Sequence, residues 1–150
     1  MKRTGSEVNL GDQPATFYQL LRLASILAKK ADAELGEKQG LSLSSAQALV
    51  YLSEHAGETQ GAVAKALGVT PAVITRHIVT LSRMGLVKQV QNADNRRQNV
   101  VSLTDMGQEK ASELSQYLGE FGAQATAALD GTAARILGEA LGTMLAAMAE

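Results

Sequence analysis

Apolar residues recur at intervals of three and four positions near both ends of the chain. This spacing turns one apolar stripe of each segment toward a partner and is typical of amphipathic helices. It predicts a long first helix over residues 15–35, a second long helix that begins after Thr104, and a final helix from about Thr132. Gly36 and Gly40 are expected to end the first helix. Both ends of the chain are therefore predicted to be helical.

Between the two ends, capping residues mark shorter helices. Ser44 followed by Gln47 has the spacing of a capping box and predicts a helix that continues to about residue 55. Thr59 is expected to cap a short helix, which Gly68 ends because glycine accepts a positive φ. The middle of the chain thus begins with two short helices.

A stronger helix start follows at Thr70 and Pro71. The threonine hydroxyl can accept an unpaired N–H at the N-cap, and proline has no N–H to leave unpaired at the first helical position. This helix is expected to run to Met84 and to stop at Gly85. One of its faces carries Ile74, Ile78 and Leu81, and the opposite face carries Ala72, Thr75, Arg76, Val79 and Arg83.

The hydrophobic period then shortens to that of a strand. β-Branched residues are frequent over residues 86–91 and 99–103, and the residues at 92–97, Asn-Ala-Asp-Asn-Arg-Arg, are turn-formers and charges. This pattern predicts a β-hairpin with a polar, basic tip. The chain is thus expected to be mainly α with a small β-hairpin, folded as a single domain.

Composition narrows the class of protein. With 150 residues, 45% of them hydrophobic, the chain can bury a core without disulfides or metals. It has no cysteine, which excludes a disulfide framework, a thiolate nucleophile and a thiol redox switch. Its two histidines have no His or Cys neighbour at ligand spacing, so no metal or other cofactor is predicted.

No targeting or membrane segment is expected. Glu7 and Asp12 interrupt the N-terminal stretch where a signal peptide needs an unbroken apolar run. No run elsewhere approaches the roughly 18 residues of a membrane span. The sequence therefore predicts a soluble, cytoplasmic protein.

Charge is distributed unevenly along the chain, whose net charge is −1. Residues 61–104 contain six basic residues against Asp94 alone, a net charge of +5, and the other 106 residues carry −6. The middle segment is thus an electropositive island on a protein that is acidic elsewhere.

A short helix, a glycine turn and a helix opened by Thr-Pro describe a helix-turn-helix. The second helix of such a motif can enter the major groove of DNA with its N-terminal residues at the base edges. Arg76 is the best candidate to read a base, because its guanidinium can donate two hydrogen bonds to guanine or clamp a phosphate. Capping alone explains Thr70 and Pro71, and His77 could equally pack against the first helix of the motif. The candidate contacts on this helix are Thr70, Pro71, Ala72, Thr75, Arg76 and His77.

The hairpin would project beside this helix as a wing. Arg96 and Arg97 at its tip suit a narrow minor groove, where the negative potential is enhanced; alternatively, they only keep the tip soluble. Together with Asp94 and Asn95 they form the candidate wing contacts. A helix-turn-helix followed by a basic hairpin is a more specific pattern than a helix-turn-helix alone.

Residues 41–107 resemble the winged helix-turn-helix of the MarR family of bacterial transcriptional regulators. The resemblance rests on residues 64–107, with a Leu-Gly-Val turn, Thr-Arg in the recognition helix, Gly-Leu-Val before the wing and Leu-Thr after it. Family wings usually read Asp-x-Arg-Asp-x-Arg. Here Asn92, Asp94 and Asn95 replace the first three of these residues, and Arg97 matches the last. Asp94 is hypothesised to brace an arginine at a different position.

The resemblance implies a homodimer, in which helices within residues 10–40 and 105–150 form the interface and residues 41–104 bind DNA. The final helix supports this independently, because it is apolar over more of its circumference than one core needs. A two-fold dimer would place its recognition helices in successive major grooves, about 34–36 Å apart, on a pseudo-palindromic site. The family also implies a repressor that responds to a small aromatic effector.

The sequence therefore predicts a transcriptional regulator whose partners are double-stranded DNA and a second copy of the chain. One alternative is a winged helix used as a protein-interaction module, in which Arg96 and Arg97 contact an acidic partner without specific DNA binding. An enzyme is not expected, because the sequence has no Ser-His-Asp set, metal cluster or phosphate loop.

Overall fold

The computed structural model describes residues 13–92, 95 and 99–148, and within them the chain is mostly helical. The elements, in chain order, are α1 (Gln13–Gln39), α2 (Leu43–Glu54), β1 (Glu58–Thr59), α3 (Gln60–Leu67), α4 (Pro71–Arg83), β2 (Val87–Gln91), β3 (Asn99–Leu103), α5 (Asp105–Thr126) and α6 (Gly131–Met148). This order confirms the predicted fold class, a mainly α protein that contains a winged helix-turn-helix.

The first helix is longer than its sequence pattern predicts. Gly36 lies inside α1, and the helix ends at Gly40, whose φ of +66° suits glycine. The expectation that Gly36 helps to end the helix is therefore wrong. A glycine inside a helix costs only about 1 kcal/mol relative to alanine, and the last turn is held by a bond from the Lys110 ammonium to the Gln39 side-chain oxygen.

The N-cap of α2 also differs from the prediction. Ser42, with an extended backbone, accepts the Ser45 N–H at 3.2 Å, and Ser44 is already inside the helix. The predicted capping box at Ser44 and Gln47 is wrong by two residues. A second free N–H at this end, that of Leu43, is accepted by the Asp32 carboxylate at 2.8 Å. Asp32 belongs to α1, so its bond to Leu43 is a tertiary contact, which the local sequence pattern around Ser44 does not contain.

The other predicted caps are confirmed. Thr59, Thr70 and Thr104 each have an extended backbone, and each side chain accepts the N–H of the residue three positions later. These three caps fix the starts of α3, α4 and α5.

The small sheet has the order β1-β3-β2, and both pairings are antiparallel. β2 and β3 form the predicted hairpin, with Val87 opposite Leu103 and Gln89 opposite Val101. Leu86, which the pattern places in the strand, lies just before it and is buried. β1 was not predicted, because two residues are too few to show a strand period.

The core lies between α2, α4, the sheet and the start of α5. Its largest fully buried side chains are Leu35, Leu49, Leu52, Ile74, Ile78, Leu81, Leu114, Val63 and Val101. The start of α5 approaches the hairpin so closely that a Cβ on Gly107 would lie 1.9 Å from the Leu86 carbonyl oxygen. The Thr104 hydroxyl also donates to the Gly85 carbonyl at 2.7 Å. The base of the hairpin is therefore fixed to α5.

The last helix is packed differently. α6 has the predicted helical form, yet none of its described residues is buried. Leu145 and Met148 are 73% and 86% exposed. Within the described residues, no single helix is both long and apolar enough to cross a membrane; the α3–α4 pair, bent by 113°, meets that test by length and composition only.

Candidate nucleic-acid interface

Helices α3 and α4 meet at an angle of 113° around a tight turn. Gly68, the C-cap of α3, adopts the left-handed conformation, with φ +65° and ψ +29°. Its N–H donates to the Lys65 carbonyl at 3.2 Å, and the Val69 N–H donates to the Ala64 carbonyl at 3.0 Å. The last carbonyls of α3 are thereby satisfied, and the turn directs α4 away from α3.

Helix α4 has one buried and one exposed face, as its sequence predicts. Ile74, Ile78 and Leu81 are fully buried. The opposite face exposes Ala72, Thr75, Arg76, Val79 and Arg83. The core therefore fixes the rotation of α4 about its axis and leaves this second face available to a partner.

The first turn of α4 is exposed and capped. The Thr70 hydroxyl accepts the Val73 N–H at 3.4 Å, and Pro71 occupies the start of the helix. Thr70, Pro71 and Ala72 are all exposed. The partial positive charge of a helix N-terminus favours an anion at this end.

The exposed cations of this region have no carboxylate partner among the described residues. No ion pair there includes Lys65, Arg76, Arg83 or Lys88. The ion pairs between described residues lie on the helices at the chain ends: Lys38–Glu34 on α1, Lys110–Glu113 on α5 and Arg135–Glu139 on α6. Within residues 13–92, 95 and 99–148, neighbouring acids thus do not neutralise the basic side chains around α4.

His77 is half-buried on α4. Its Nδ1 lies 3.0 Å from the hydroxyl oxygen of Ser45, a residue of α2 that is 2% exposed. Ser45 also accepts the Ser42 hydroxyl at 2.9 Å. One of the two ring nitrogens is therefore directed at α2, whereas the packing alternative for His77 named the first helix of the motif, which is α3.

A hydrogen-bonded chain of side chains connects three elements at this surface. The Thr75 hydroxyl lies 2.8 Å from the Gln60 side-chain oxygen, and the Gln60 side-chain nitrogen donates to the Gln89 side-chain oxygen at 3.2 Å. Sequence analysis did not single out Gln60 or Gln89. They are 29 positions apart and belong to no local motif, so only the fold brings them together.

The wing is described in part. Asn92 is half-buried and Asn95 is exposed, and both make contacts. Asp94, Arg96 and Arg97 lie outside the described residues. The wing contacts and the bracing role of Asp94 remain predictions.

Shifted pKa values occur at the junction of α1 and α5. The hydrogen bond from Tyr117 at 2.8 Å and then that from Lys38 lower the pKa of the Glu34 carboxyl. The bond to Glu34 raises the pKa of Lys38, and burial together with the bond to Glu34 raises that of Tyr117. These three side chains connect α1 to α5 at neutral pH, when Glu34 is ionised.

The described residues contain no group of three or more His, Asp or Glu side chains that could hold a metal ion. The exposed surface around α4 instead presents guanidinium, ammonium, hydroxyl and amide groups. These are donors that suit phosphate oxygens and base edges.

Comparison with known proteins shows which family the middle of the chain is similar to. The sequence pattern of the MarR family matches residues 39–98. No curated protein matches the chain. The predicted resemblance to the MarR family is confirmed by this match, which covers α2, the helix-turn-helix and β2.

Solved structures of transcriptional regulators share this fold at low sequence identity. The transcriptional regulator BldR from Sulfolobus solfataricus is 20% identical, with a TM-score of 0.84 over 92% of this chain and 97% of that one. A MarR-family transcriptional regulator from Rhodococcus sp. RHA1 is 19% identical, with a TM-score of 0.79 over 93% and 98%. MepR from S. aureus, in complex with DNA, is 23% identical, with a TM-score of 0.75 over 87% and 96%. These likenesses confirm the fold, and the first two of these proteins are described as transcriptional regulators.

Proposed function

We propose that this chain, whose residues 39–98 match the MarR family, is a sequence-specific DNA-binding transcriptional regulator of the cytoplasm. In detail, the proposal is a ligand-responsive repressor that binds a pseudo-palindromic operator as a homodimer. One observation carries it: α4 presents an exposed face on which Arg76 has no acidic partner among the described residues. That face lies within the segment whose net charge is +5.

Most of the affinity would come from phosphate neutralisation. Lys65, Arg83 and Lys88 are exposed and unpaired within the described ranges, which leaves them available to the DNA backbone. Arg96 and Arg97 would add contacts from the wing. Each phosphate contact releases condensed counterions, so binding should weaken steeply as salt rises.

Sequence choice would come from the N-terminal half of α4. Arg76 is the proposed base reader, and a bidentate contact to guanine is worth roughly 1–3 kcal/mol of discrimination. Thr70, Pro71, Ala72 and Thr75 would lie at the backbone or at a thymine methyl group. For His77, the bond to Ser45 favours a role in orienting α4.

The homodimer is supported by apolar surface that one chain leaves uncovered. On α1, Phe17, Tyr18 and Leu21 are more than half exposed, and on α6 Leu145 is 73% exposed. Several large apolar side chains exposed to water on the same helices favour an interaction site. A second copy of the chain, related by a two-fold axis, would cover these side chains with its own.

The effector proposed is a small aromatic molecule. A cleft between α1 and α5 combines an aromatic ring, a cation, a carboxylate and one side-chain amide, and it is lined by Leu27, Lys30, Glu34, Phe121, Gln124 and Ala125. A ligand bound in this cleft would change how α5 packs on α1. It would thereby change the distance between the α4 helices of the two copies in the dimer. Such a ligand shifts the equilibrium only by its differential affinity for the two geometries.

The test is selection of duplexes from a random library at low salt, followed by affinity measurements on the enriched duplex across a salt series. Arg76→Ala should relax the base preference at one position in each half-site. Arg83→Ala, on the same helix, is the matched control and should weaken binding uniformly across sequences.

A result without any enriched sequence would contradict the proposal. It would favour the alternative of a protein-interaction module, since such a module needs no base preference. The aromatic effector is tested separately by measuring release of the selected duplex with benzoate and with cyclohexanecarboxylate. Release by benzoate alone supports an aromatic ligand, and release by neither contradicts that part.

A further inference from the structure

Three polar side chains connect the helix-turn-helix to the hairpin. Thr75 belongs to α4, Gln60 is the first residue of α3, and Gln89 is the middle residue of β2. Gln60 is half-buried between the other two, which are exposed. Gln60 and Gln89 also line a shallow cleft together with Thr59, Gly61 and Asn99.

Both ends of one amide are used in this chain of contacts. The Gln60 oxygen accepts from the Thr75 hydroxyl at 2.8 Å, and the Gln60 nitrogen donates to the Gln89 oxygen at 3.2 Å. A glutamine amide can accept and donate at the same time, which an alkyl side chain cannot do. Gln60 therefore bridges α4 and β2.

The bridge joins parts of α4 and β2 that lie away from the loop connecting these two elements. α4 and β2 are joined only through Met84, Gly85 and Leu86, at the C-terminal end of the helix and the first residue of the strand. Thr75 is near the other end of α4, and Gln89 lies part of the way along β2 toward the hairpin tip. A contact between these two points fixes the angle at which the helix and the strand diverge.

The Thr75 hydroxyl has a second acceptor. The Pro71 carbonyl oxygen also lies 2.8 Å from it, and a hydroxyl has one proton to donate. Thr75 can thus release Gln60 and keep a hydrogen bond within α4. Loss of the Gln60 side chain therefore does not leave the Thr75 hydroxyl without an acceptor, so a substitution at Gln60 tests the bridge and not an unpaired hydroxyl.

We propose that Gln60 is a positioning residue that holds the hairpin at a fixed angle to α4, so that helix and wing engage one DNA duplex together. The inference rests on the proposed function. Its physical basis is preorganisation: a wing already oriented loses less conformational freedom on binding. Gln60 acts through Thr75 and Gln89 and needs no contact with DNA.

The first experiment uses the free protein. Amide hydrogen exchange of β2 and β3 is compared for the wild type, Gln60→Met and Gln60→Glu, with Gln116→Met as control. Gln116 also bonds through its side chain, to Glu120 at 2.9 Å, but on α5. Gln60→Met should raise strand exchange severalfold. Gln60→Glu should retain protection, because a carboxylate accepts from Thr75 and from a rotated Gln89 amide. The control should leave exchange unchanged.

The second experiment measures binding to the duplex enriched by the wild-type chain from a random library. Gln60→Met removes two hydrogen bonds and should weaken binding about tenfold, and Gln89→Met, which removes one, about threefold. The double variant should bind like Gln60→Met alone, since both substitutions open the same bridge. Hydroxyl-radical protection should be lost first at the outer edges of the site, where a wing would lie.

Three results would overturn the inference. They are unchanged strand exchange in Gln60→Met, unchanged affinity in that variant, or effects of Gln60→Met and Gln89→Met that multiply in the double variant. If the wild type selects no duplex, the proposed function fails, and the exchange experiment still decides whether Gln60 fixes the hairpin.

Discussion

The middle of the chain and its two ends leave opposite kinds of surface in water. Of the fifteen exposed large apolar side chains among the described residues, twelve lie on α1, α5, α6 and the loop before α6, and three lie within residues 41–104. The middle has a net charge of +5 over residues 61–104, and the rest of the chain carries −6. One region has buried its apolar residues and exposes cations, and the other exposes apolar residues.

The difference shows how much of its apolar surface each region can bury within a single copy of the chain. Thirteen of the sixteen residues of the buried core cluster lie within residues 41–104; Leu35 of α1 and Ala111 and Leu114 of α5 complete the cluster, and α6 contributes none. With these three side chains in place, the middle is a packed unit and needs a partner only for its charge. The ends need a partner for their apolar area, which supports a second copy of the chain.

The largest expected effect is on the packed region. Gly107→Ala would place a Cβ 1.9 Å from the Leu86 carbonyl oxygen, so backbone must move. We expect a loss of about 3 kcal/mol or more in the free energy of unfolding, measured by urea denaturation. Gly119→Ala, on the same helix with nothing within 4 Å, is the control and should stabilise by up to about 1 kcal/mol. Equal stability of the two variants would contradict the close packing of α5 on the hairpin.

The second-largest effect is expected from a substitution that places a charge in the exposed apolar surface of the chain ends. Leu145→Glu introduces a charge at a position that is 73% exposed on α6. Within a dimer interface it should cost at least about 2 kcal/mol, roughly thirtyfold in the dimer dissociation constant. Sedimentation equilibrium measures this constant directly.

The matched control is Val90→Glu, at an exposed valine of β2 that is 46% exposed. It should leave the dimer constant unchanged. If both variants change self-association equally, or neither does, the contrast between the two regions does not hold.

Sequence patterns predicted the packed middle well, because its determinants are local. Thr59, Thr70 and Thr104 cap helices through atoms three residues away, and the two faces of α4 follow from helical periodicity. The errors occur where a tertiary contact decides. Asp32 takes part at the start of α2, and β1 depends on pairing with β3.

The candidate site was predicted in the same uneven way. Arg76 could be chosen because the helix signature and its exposed face lie in one short stretch of sequence. Gln60 and Gln89 could not be chosen, since their link to Thr75 spans three elements. A polar residue at the start of a helix has many roles, and only the folded geometry selects one.

The smallest effect concerns the contact between α1 and α5, within the region formed by the chain ends. Tyr117→Phe removes the hydroxyl that lowers the pKa of Glu34. A lowered carboxyl pKa stabilises the fold at pH values above the pKa of the unfolded chain, and this stability is lost as the pH falls through the folded pKa. The variant should therefore be slightly less stable than the wild type at neutral pH, and the difference should vanish in acid.

Thermal unfolding across a pH series checks this expectation. Tyr51→Phe is the control, because it removes a hydroxyl that is not bonded to a carboxylate among the described residues. Its difference in stability from the wild type should not change as the pH falls into the acid range. A Tyr117→Phe difference that persists unchanged into acid would contradict the role of Glu34.

The central claim is that two copies of the α4 surface, held together by the chain ends, bind one duplex. The most direct measurement is the mass and affinity of the complex on two duplexes, one with the full selected site and one with a single half-site. The account predicts two chains on the full site and an affinity for the half-site that is lower by about a hundredfold or more. A single bound chain with equal affinity for both duplexes, or no complex at low salt, would contradict it.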